Sequence, residues 1–237
     1  MIYKTLSWDS TFLGIKVAKI IPSVIEERSL CNIVNEISND GIRLVYWPSK
    51  RKMSENMTNK LGGVLVDIKT TLTVDMDMIN SKEIASFDII TPYSPNMSID
   101  QFYSLSVQCG ELSRFSVDKN IPQKKLFELY EIWIKKSLSK ETADEVLVIY
   151  KNKKLLGFVT LAGNNGQGVI GLLVVDKHYR GQKYGEKLVR AAQQWFILHG
   201  YRYGQVVTQG SNIAAMNLYK KCGYSIEKQE YFYHFWL

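Results

Sequence analysis

The sequence predicts an α/β fold of the α+β kind, in which helices flank a central mixed, largely antiparallel sheet. Three observations lead to this prediction. The C-terminal half alternates apolar runs with turns in the order α, β, β, β, α, β, α, β. Two of its helices follow directly on apolar strands, at turns that carry glycine or a capping residue. The N-terminal part mixes alternating and helical hydrophobic spacing, which indicates a further α/β segment.

The first segment, roughly residues 1–90, contains both kinds of element. Its hydrophobic spacing predicts strands at 17–21, 42–47 and 64–74, and a helix at 24–37. Pro48 is expected to end the second strand, because proline donates no backbone hydrogen bond. Two prolines give the stretch 91–96 the composition of a linker. We therefore predict an N-terminal α/β domain at 1–103 and a second domain at 104–237.

The second segment is more regular. An apolar helical face follows Pro122, and Gly200 is expected to stop a later helix. Ser211 or Asn212 is expected to cap a short helix that ends near Cys222. The predicted strands lie at 146–150, 155–162, 169–175, 205–208 and 231–237, and the helix before Gly200 begins near 185. The first three of these strands should form an antiparallel meander, because only short turns join them.

The composition is that of a globular protein, with 46% hydrophobic and 22% charged residues among 237. No apolar run is long enough to span a membrane. The first residues lack the apolar core of a signal peptide, so we expect a cytoplasmic protein with no membrane partner. The three cysteines and three histidines are scattered. This spacing predicts neither a disulfide framework nor a metal site.

The net charge of +7 is unevenly distributed. Residues 1–98 contain 11 basic and 11 acidic residues, whereas residues 99–237 contain 19 and 12. A basic half suggests an anionic partner, which could be nucleic acid or a small polyphosphate ligand. A basic arm or an aromatic platform motif is missing from the sequence, so we do not expect nucleic acid.

The most informative stretch joins an apolar strand to a helix at residues 180–185. It contains Arg180, Gly181, Gln182, Lys183, Tyr184 and Gly185. Unpaired backbone N–H groups at a helix N-terminus bind phosphate, and the glycines let the backbone approach it closely. The stretch matches neither a Walker P-loop nor a dinucleotide fingerprint. Taken alone, it is equally compatible with a simple turn.

A second element follows the next strand, from Asn212 to Tyr224. It includes Asn212, Ala215, Leu218, Tyr219 and Gly223. Together the two elements resemble the GNAT superfamily of N-acetyltransferases, whose pyrophosphate loop reads R-x-x-G-x-G/A and whose later element reads N-x-x-A-x-x-L-Y-x-x-x-G-F/Y. Lys183 departs from this pattern, which has glycine there. The resemblance implies the GNAT fold, with acetyl-CoA as cosubstrate and no metal.

Further residues are similar to the dTDP-fucosamine acetyltransferase group. They lie at 111–118, 129–134, 157–161, 206–209 and 233–237, and the opening residues 8–14 also match, although the similarity is patchy before residue 106. Enzymes of this group acetylate the 4-amino group of a nucleotide-linked 4-amino-4,6-dideoxyhexose. The resemblance therefore implies such a sugar as acceptor. The first domain has a balanced charge and no phosphate-binding turn, so we expect it to shape the acceptor site and not to bind CoA.

The resemblance also assigns roles to residues. Acetyl-CoA would be held by Leu173, Val174, Val175, Arg180, Gly181, Gln182, Lys183, Tyr184, Gly185, Asn212 and Ala215. Tyr219 would be the general acid that protonates the departing thiolate. Arg114, Thr208 and Gln209 are weaker candidates for substrate contacts. The tyrosine could also be a packing residue in its helix.

Other points stay open on sequence grounds. The strand at 169–175 contains no acid or histidine, so the general base could be a water relay or Glu111. We expect His234 to be a core residue. The acceptor could instead be a protein N-terminus, a lysine or another small amine. A non-catalytic acetyl-CoA sensor is disfavoured by Tyr219. A homodimer remains an open alternative to a monomer.

Overall fold

The computed structural model describes residues 2–79 and 89–237, and these contain a ten-stranded sheet with helices on both faces. The strands are β1 (Tyr3–Thr5), β2 (Val17–Ile20), β3 (Leu44–Ser49), β4 (Gly63–Asp75), β5 (Ile90–Pro92), β6 (Glu145–Lys151), β7 (Lys154–Asn164), β8 (Gln167–Val175), β9 (Tyr203–Gln209) and β10 (Ser225–Trp236). The helices are α1 (Ser7–Leu13), α2 (Glu27–Asn39), α3 (Glu55–Lys60), α4 (Ile99–Val107), α5 (Arg114–Val117), α6 (Gln123–Leu138), α7 (Tyr184–Leu198) and α8 (Ile213–Lys221).

The order of the strands across the sheet differs from their order along the chain. It runs β1-β2-β3-β10-β4-β9-β8-β7-β6-β5. The late strand β10 is antiparallel to both of its neighbours, β3 and β4, which come from the first hundred residues. The two predicted domains therefore contribute strands to one sheet, and the boundary at residue 103 stays a prediction.

The two faces of the sheet carry different helices. Successive side chains of a strand point to opposite faces, so the packing partners of alternate residues identify each face. On one face, α2, α3, α7 and α8 pack against the sheet, and we call it the α7 face. On the other, α1, α4, α5 and α6 pack against the sheet, and we call it the α5 face.

The sheet opens between β8 and β9. These two parallel strands pair only from Gln167 opposite Tyr203 to Ile170 opposite Val206. Both strands continue beyond that point, β8 to Val175. A bulge in β8 lies at the same level, where the Leu172 N–H donates to the Thr160 hydroxyl over 2.8 Å. Bulges bend a strand away from its neighbour, so the opening follows from this local irregularity.

The fold class and the element order of the second half are confirmed, including the antiparallel meander of β6, β7 and β8. Two details were wrong. Pro48 lies inside β3 rather than ending it. Strand β2 pairs with β3 only as far as Tyr46, so residue 48 does not need a backbone N–H to donate to β2. The stretch 91–96 begins within the edge strand β5, where Pro92 is tolerated for the same reason. The sequence analysis also missed β1, α1, α3, α4 and α5.

Candidate active site

A cleft of about 590 Å³ lies at the opening between β8 and β9. This is a usual size for a small-molecule site. Ten of the eleven residues predicted to hold acetyl-CoA line it: Leu173, Val174, Val175, Arg180, Gly181, Lys183, Tyr184, Gly185, Asn212 and Ala215. Gln182 is exposed and does not line the cleft. The residues are thus brought together from β8, the turn, α7 and α8.

The turn before α7 has the geometry that a phosphate loop needs. Gly181 has a φ of +80°, and Lys183 has a φ of +63° at the N-cap position of α7. Both angles lie in the left-handed region that disfavours a Cβ, which explains why glycine is preferred at the position of Lys183. Helix α7 then begins with Tyr184 and Gly185, whose N–H groups have no partner inside the helix.

Gly185 lies where two helices approach each other. A Cβ at this position would come within 3.1 Å of the Leu218 side chain on α8. The N-terminus of α8 is fixed by Asn212, whose side-chain oxygen accepts a hydrogen bond from the Ala215 N–H over 3.1 Å. This confirms the predicted cap and sets two helix N-termini side by side at the cleft.

The charged groups of the cleft are mostly paired. Arg180 lies 3.8 Å from the Glu111 carboxylate, and Lys221 lies 2.6 Å from Glu186. Lys183 forms no ion pair with any residue in the described ranges. The lining therefore has one uncompensated cation beside the two helix N-termini. This arrangement suits an anion.

Nine lining residues were not predicted as cofactor contacts. They are Gln108, Cys109, Glu111, Leu112, Tyr179, Glu186, Ala214, Leu218 and Lys221. The Gln108 carboxamide oxygen accepts hydrogen bonds from the Lys177 N–H and from Arg180, so it supports the turn. No local sequence signal could have identified Gln108, Cys109 and Leu112, because these residues follow α4, far along the chain from the turn.

Cys109 lines the cleft and is hydrogen-bonded to β8. Its thiol donates to the Leu173 carbonyl over 3.6 Å. Burial raises the pKa of this thiol to about 12, while the Arg180 guanidinium acts in the opposite direction. The group therefore stays a neutral thiol and acts as a hydrogen-bond donor rather than as a nucleophile.

Tyr219 lies on α8 behind the lining of the cleft. It is 5% exposed and does not itself line the cleft, although its neighbour Leu218 does. Burial, together with the nearby thiols of Cys109 and Cys222, raises the pKa of the Tyr219 phenol above its usual value. The phenol is therefore protonated at neutral pH and has a proton to donate.

The weaker substrate candidates lie outside the cleft. Arg114 begins α5, where its guanidinium lies 4.6 Å from the ring centres of both Tyr46 and Phe232. Thr208 and Gln209 end β9, and only Thr208 is buried. The structure therefore does not bring these three residues to the predicted acetyl-CoA contacts.

His234 is a core residue, as predicted, since it is fully buried. Its Nδ1 lies 2.6 Å from the Asp118 carboxylate, which also accepts a hydrogen bond from the Trp236 indole over 2.9 Å. Burial opposes ionisation of Asp118, but the hydrogen bonds from His234 and Trp236 outweigh it and lower its pKa. Burial lowers the pKa of His234, so the imidazole is neutral and donates from Nδ1.

The described residues contain no group of three or more acidic, histidine or cysteine side chains that could hold a metal ion. No helix in residues 2–79 and 89–237 has the length and apolar character needed to cross a membrane.

The profile of the Acetyltransferase (GNAT) family matches residues 99–224. The spore coat polysaccharide biosynthesis protein SpsD of Bacillus subtilis is 21% identical over 52% of this chain and 43% of its own length. The chain thus spans less than half of that relative. N-alpha-acetyltransferase 30 of Dictyostelium discoideum is 25% identical over 70% of this chain and 88% of its own length.

Solved structures show the same fold. A GCN5-related N-acetyltransferase from Sphaerobacter thermophilus superposes with a TM-score of 0.64. The superposition covers 98% of this chain and 75% of that one at 13% identity. The family profile covers more than half of the sequence, and the fold and the cleft agree with it. The chain belongs to the GNAT acetyltransferase family.

Proposed function

We propose that this enzyme moves the acetyl group of acetyl-CoA to the amine of a nucleotide-linked 4-amino-4,6-dideoxy sugar. The amine attacks the thioester directly while both substrates are bound, and Tyr219 protonates the departing thiolate. The reaction needs a held donor, an oriented amine and a stabilised leaving group.

The donor side of the proposal rests on the cleft. The turn 180–185 and the N-terminus of α7 hold the pyrophosphate, with Lys183 supplying the uncompensated charge. The pantetheine arm runs past Asn212 and Ala215 into the opening between β8 and β9. The thioester then lies along Leu173, Val174 and Val175, where β8 has lost its pairing with β9.

Tyr219 suits the role of general acid for two reasons. Its phenol is protonated at neutral pH, and the nearby Cys109 thiol donates a hydrogen bond to the Leu173 carbonyl that borders the cleft. A general acid gains from a low-dielectric surrounding, because a proton donated there is not lost to solvent. Gln182 is exposed and outside the cleft lining, so only its backbone would take part in the phosphate loop.

The acceptor side rests on one observation, a group of cations on the α5 face. Burial lowers the pKa of Lys19, and the nearby charges of Lys69 and Arg114 lower it further, while Glu230 opposes them. Clustered cations repel one another, so a bound anion would relieve the repulsion. The diphosphate of a nucleotide sugar provides such an anion. Thr208 and Gln209 end β9 beside this group, and Gln209 pairs with Lys69.

A polysaccharide-related relative agrees with a sugar acceptor, since the name of SpsD places that protein in spore coat polysaccharide biosynthesis. The competing acceptor is a protein N-terminus, because most of the Dictyostelium N-alpha-acetyltransferase aligns with this chain. The two acceptors differ in charge: a nucleotide sugar needs a cationic site, and a neutral peptide does not.

The test is a comparison of acceptors with the full chain and acetyl-CoA. The panel contains dTDP- and UDP-linked 4-amino-4,6-dideoxyhexoses of both 4-epimers, the same sugars without nucleotide, and peptides with free N-termini or lysines. Released thiol and the mass of the product report the reaction. We expect the highest kcat/KM for a nucleotide-linked sugar and a large loss without the nucleotide.

A substitution at Lys19 tests whether the cations on the α5 face bind the diphosphate of the nucleotide sugar. Lys19→Ala should raise the KM for the nucleotide sugar several-fold and leave that for acetyl-CoA unchanged. Lys153→Ala, in the exposed turn between β6 and β7, is the matched control. Preference for a peptide, or indifference to the nucleotide, would refute the proposal.

A further inference from the structure

The α5 face carries a concentration of buried polar atoms that lack hydrogen-bond partners. Five such side-chain atoms occur among the described residues: Tyr46 Oη, Asp67 Oδ1, Ser113 Oγ, Tyr224 Oη and His234 Nε2. All except the Tyr224 atom belong to the α5 face or to the residue that precedes α5. Each unpartnered buried atom costs stability, so four in one region indicate that a bound molecule completes them.

Contacts to Arg114 gather these groups. The Arg114 guanidinium lies 4.6 Å from the ring centre of Tyr46, and the Tyr46 ring stacks on His234 at 4.6 Å. Ser113 directly precedes Arg114. Asp67 lies on β4 opposite Phe232, whose ring also lies 4.6 Å from the guanidinium. We call Tyr46, Asp67, Ser113, Arg114 and His234 the Arg114 cluster.

The chemistry of the Arg114 cluster suits a polyhydroxylated amine. It offers a carboxylate, a phenol, a serine hydroxyl, an imidazole acceptor and a guanidinium donor. His234 uses Nδ1 to hold Asp118, which leaves Nε2 as a free acceptor for a hydroxyl. An amine that arrives as an ammonium ion needs the carboxylate, and Asp67 is the acid of the cluster.

Asp67 lies on the central strand β4, at the level along the strands where the thioester is proposed to bind. Strand β4 is antiparallel to β9, and Lys69 pairs with Gln209, the last residue of β9. Asp67 therefore lies two residues beyond the end of β9, at the level where β8 and β9 have separated. Strands β4 and β8 flank β9, so they are about 10 Å apart, or two strand spacings, where all three strands are paired, and farther apart where β8 has left β9. An amine between Asp67 and Leu173 could reach both.

We infer that the Arg114 cluster is the acceptor site and that Asp67 takes a proton from the acceptor's amine. This inference rests on the proposed acetylation of an amino sugar. The previously considered base, Glu111, is exposed and paired with Arg180 at 3.8 Å, so it is occupied by the donor side.

The protons balance in two steps. The ammonium gives one proton to the Asp67 carboxylate and becomes a neutral amine. The amine nitrogen attacks the thioester carbon, the new C–N bond forms, and the C–S bond breaks. The thiolate takes a proton from the Tyr219 phenol, and the second nitrogen proton, lost as the amide forms, restores that phenol. Asp67 then releases its proton to solvent and is again a carboxylate. The products are the acetamide, the thiol of CoA and one proton released to solvent.

The surroundings of Asp67 suit a base near neutral pH. Burial raises the pKa of its carboxyl to about 6, although the charges of Arg114 and Lys69 and a hydrogen bond from the Ile68 N–H oppose this rise. The negative charge of Asp67 also contributes to raising the pKa of Tyr130 on α6. A base with such a pKa is ionised at pH 7 and still accepts protons readily.

The experiment compares pH profiles of the wild type, Asp67→Asn and Asp67→Glu with the best acceptor found in the panel. We expect Asp67→Asn to lower kcat/KM about a hundredfold or more at pH 7. The loss should shrink as the pH rises past the pKa of the amine, because the amine then arrives neutral. Asp67→Glu should restore part of the activity, and the dissociation constant for CoA should stay unchanged in both variants.

The matched control is Asp75→Asn, which makes the same change at the opposite end of β4. A loss in Asp67→Asn that is equal at all pH values would overturn the role of Asp67 as a base. A second arm measures binding: Tyr46→Phe should raise the acceptor KM roughly three- to tenfold, because the buried hydroxyl, with Asp9 nearby, makes no hydrogen bond of normal geometry within the fold. If the wild type prefers a peptide, the proposed substrate is wrong, but the same profiles with that peptide still decide whether Asp67 is the base.

Discussion

The donor cleft and the Arg114 cluster are built in different ways. The cleft takes most of its lining from two short stretches, the turn with the start of α7 and the start of α8. Its main groups are backbone N–H groups and glycines. The Arg114 cluster takes single side chains from β3, β4, α5 and β10, at positions 46, 67, 114 and 234.

This difference reflects what each region is proposed to recognise. A pyrophosphate is held by backbone groups, and a backbone conformation is encoded by a few consecutive residues. A sugar is held by side chains of defined chemistry, which can come from any strand that the sheet brings close. Because β10 inserts between β3 and β4, residues almost 190 positions apart become neighbours.

The substitution with the largest expected effect tests whether catalysis at the donor cleft depends on a side chain as well as on backbone groups. Tyr219→Phe removes the phenol and keeps the ring, so the packing against Tyr224 at 5.8 Å should survive. We expect kcat to fall on the order of a hundredfold, because the thiolate then departs without a general acid. The dissociation constant for acetyl-CoA should barely change, since the phenol acts on the transition state.

Tyr224→Phe is the control for this variant. Tyr224 is buried like Tyr219, and its hydroxyl has no hydrogen-bond partner among the described residues, but it is not proposed to act in catalysis. Single-turnover rates and calorimetry with CoA separate the two roles. A near-normal kcat in Tyr219→Phe would make Tyr219 a packing residue, and weak CoA binding with normal kcat would assign it to the donor site.

The same contrast explains what could be predicted from the sequence. The turn 180–185 and the cap at Asn212 are local signals, and the structure places both at the cleft. Gln108 and Cys109 were missed because their role depends on how α4 ends beside β8. Asp67 was missed because alternation in β4 indicates a strand but not which strand lies next to it. Only the position of β10 brings that carboxylate to Arg114.

A second prediction sharpens the comparison through stability. The pKa of Asp67 is about 6 in the fold, above the usual value for aspartate, so its ionised form is less favourable in the folded state than in the unfolded chain. The ionisation of Asp67 therefore lowers the free energy of unfolding as the pH rises from about 4 to 6, and this loss persists at higher pH. Asp67→Asn should raise the free energy of unfolding at pH 7.5 by about 1–2 kcal/mol.

Urea denaturation of both proteins from pH 4 to pH 8 measures this difference directly. The gain should narrow below pH 6 and become small near pH 4, where the carboxyl is protonated in the folded state and about half protonated in the unfolded chain. The paired comparison cancels the separate acid sensitivity of Asp118 and His234. A site that is more stable without its acid, and less active, is the pattern expected where a charge is kept for function. A destabilised Asp67→Asn would instead mean that the carboxylate supports the fold.

The smallest expected effect concerns Lys183, the departure from the family pattern. Its φ of +63° costs a residue with a Cβ roughly 1 kcal/mol relative to glycine. Lys183→Gly and Lys183→Ala both remove the charge, but only glycine relieves the backbone. We therefore expect the glycine variant to be more stable than the alanine variant by up to about 1 kcal/mol. The difference is reduced because glycine has more conformational entropy than alanine in the unfolded chain.

Both variants should bind CoA only a few-fold more weakly at low salt, since an exposed charge contributes about 0–1 kcal/mol. That weakening should vanish in about 1 M salt, where charges are screened within a few ångströms. If both variants lose CoA binding at high salt as well, Lys183 contacts the pyrophosphate directly, and the donor side depends on side chains more than its backbone geometry indicates.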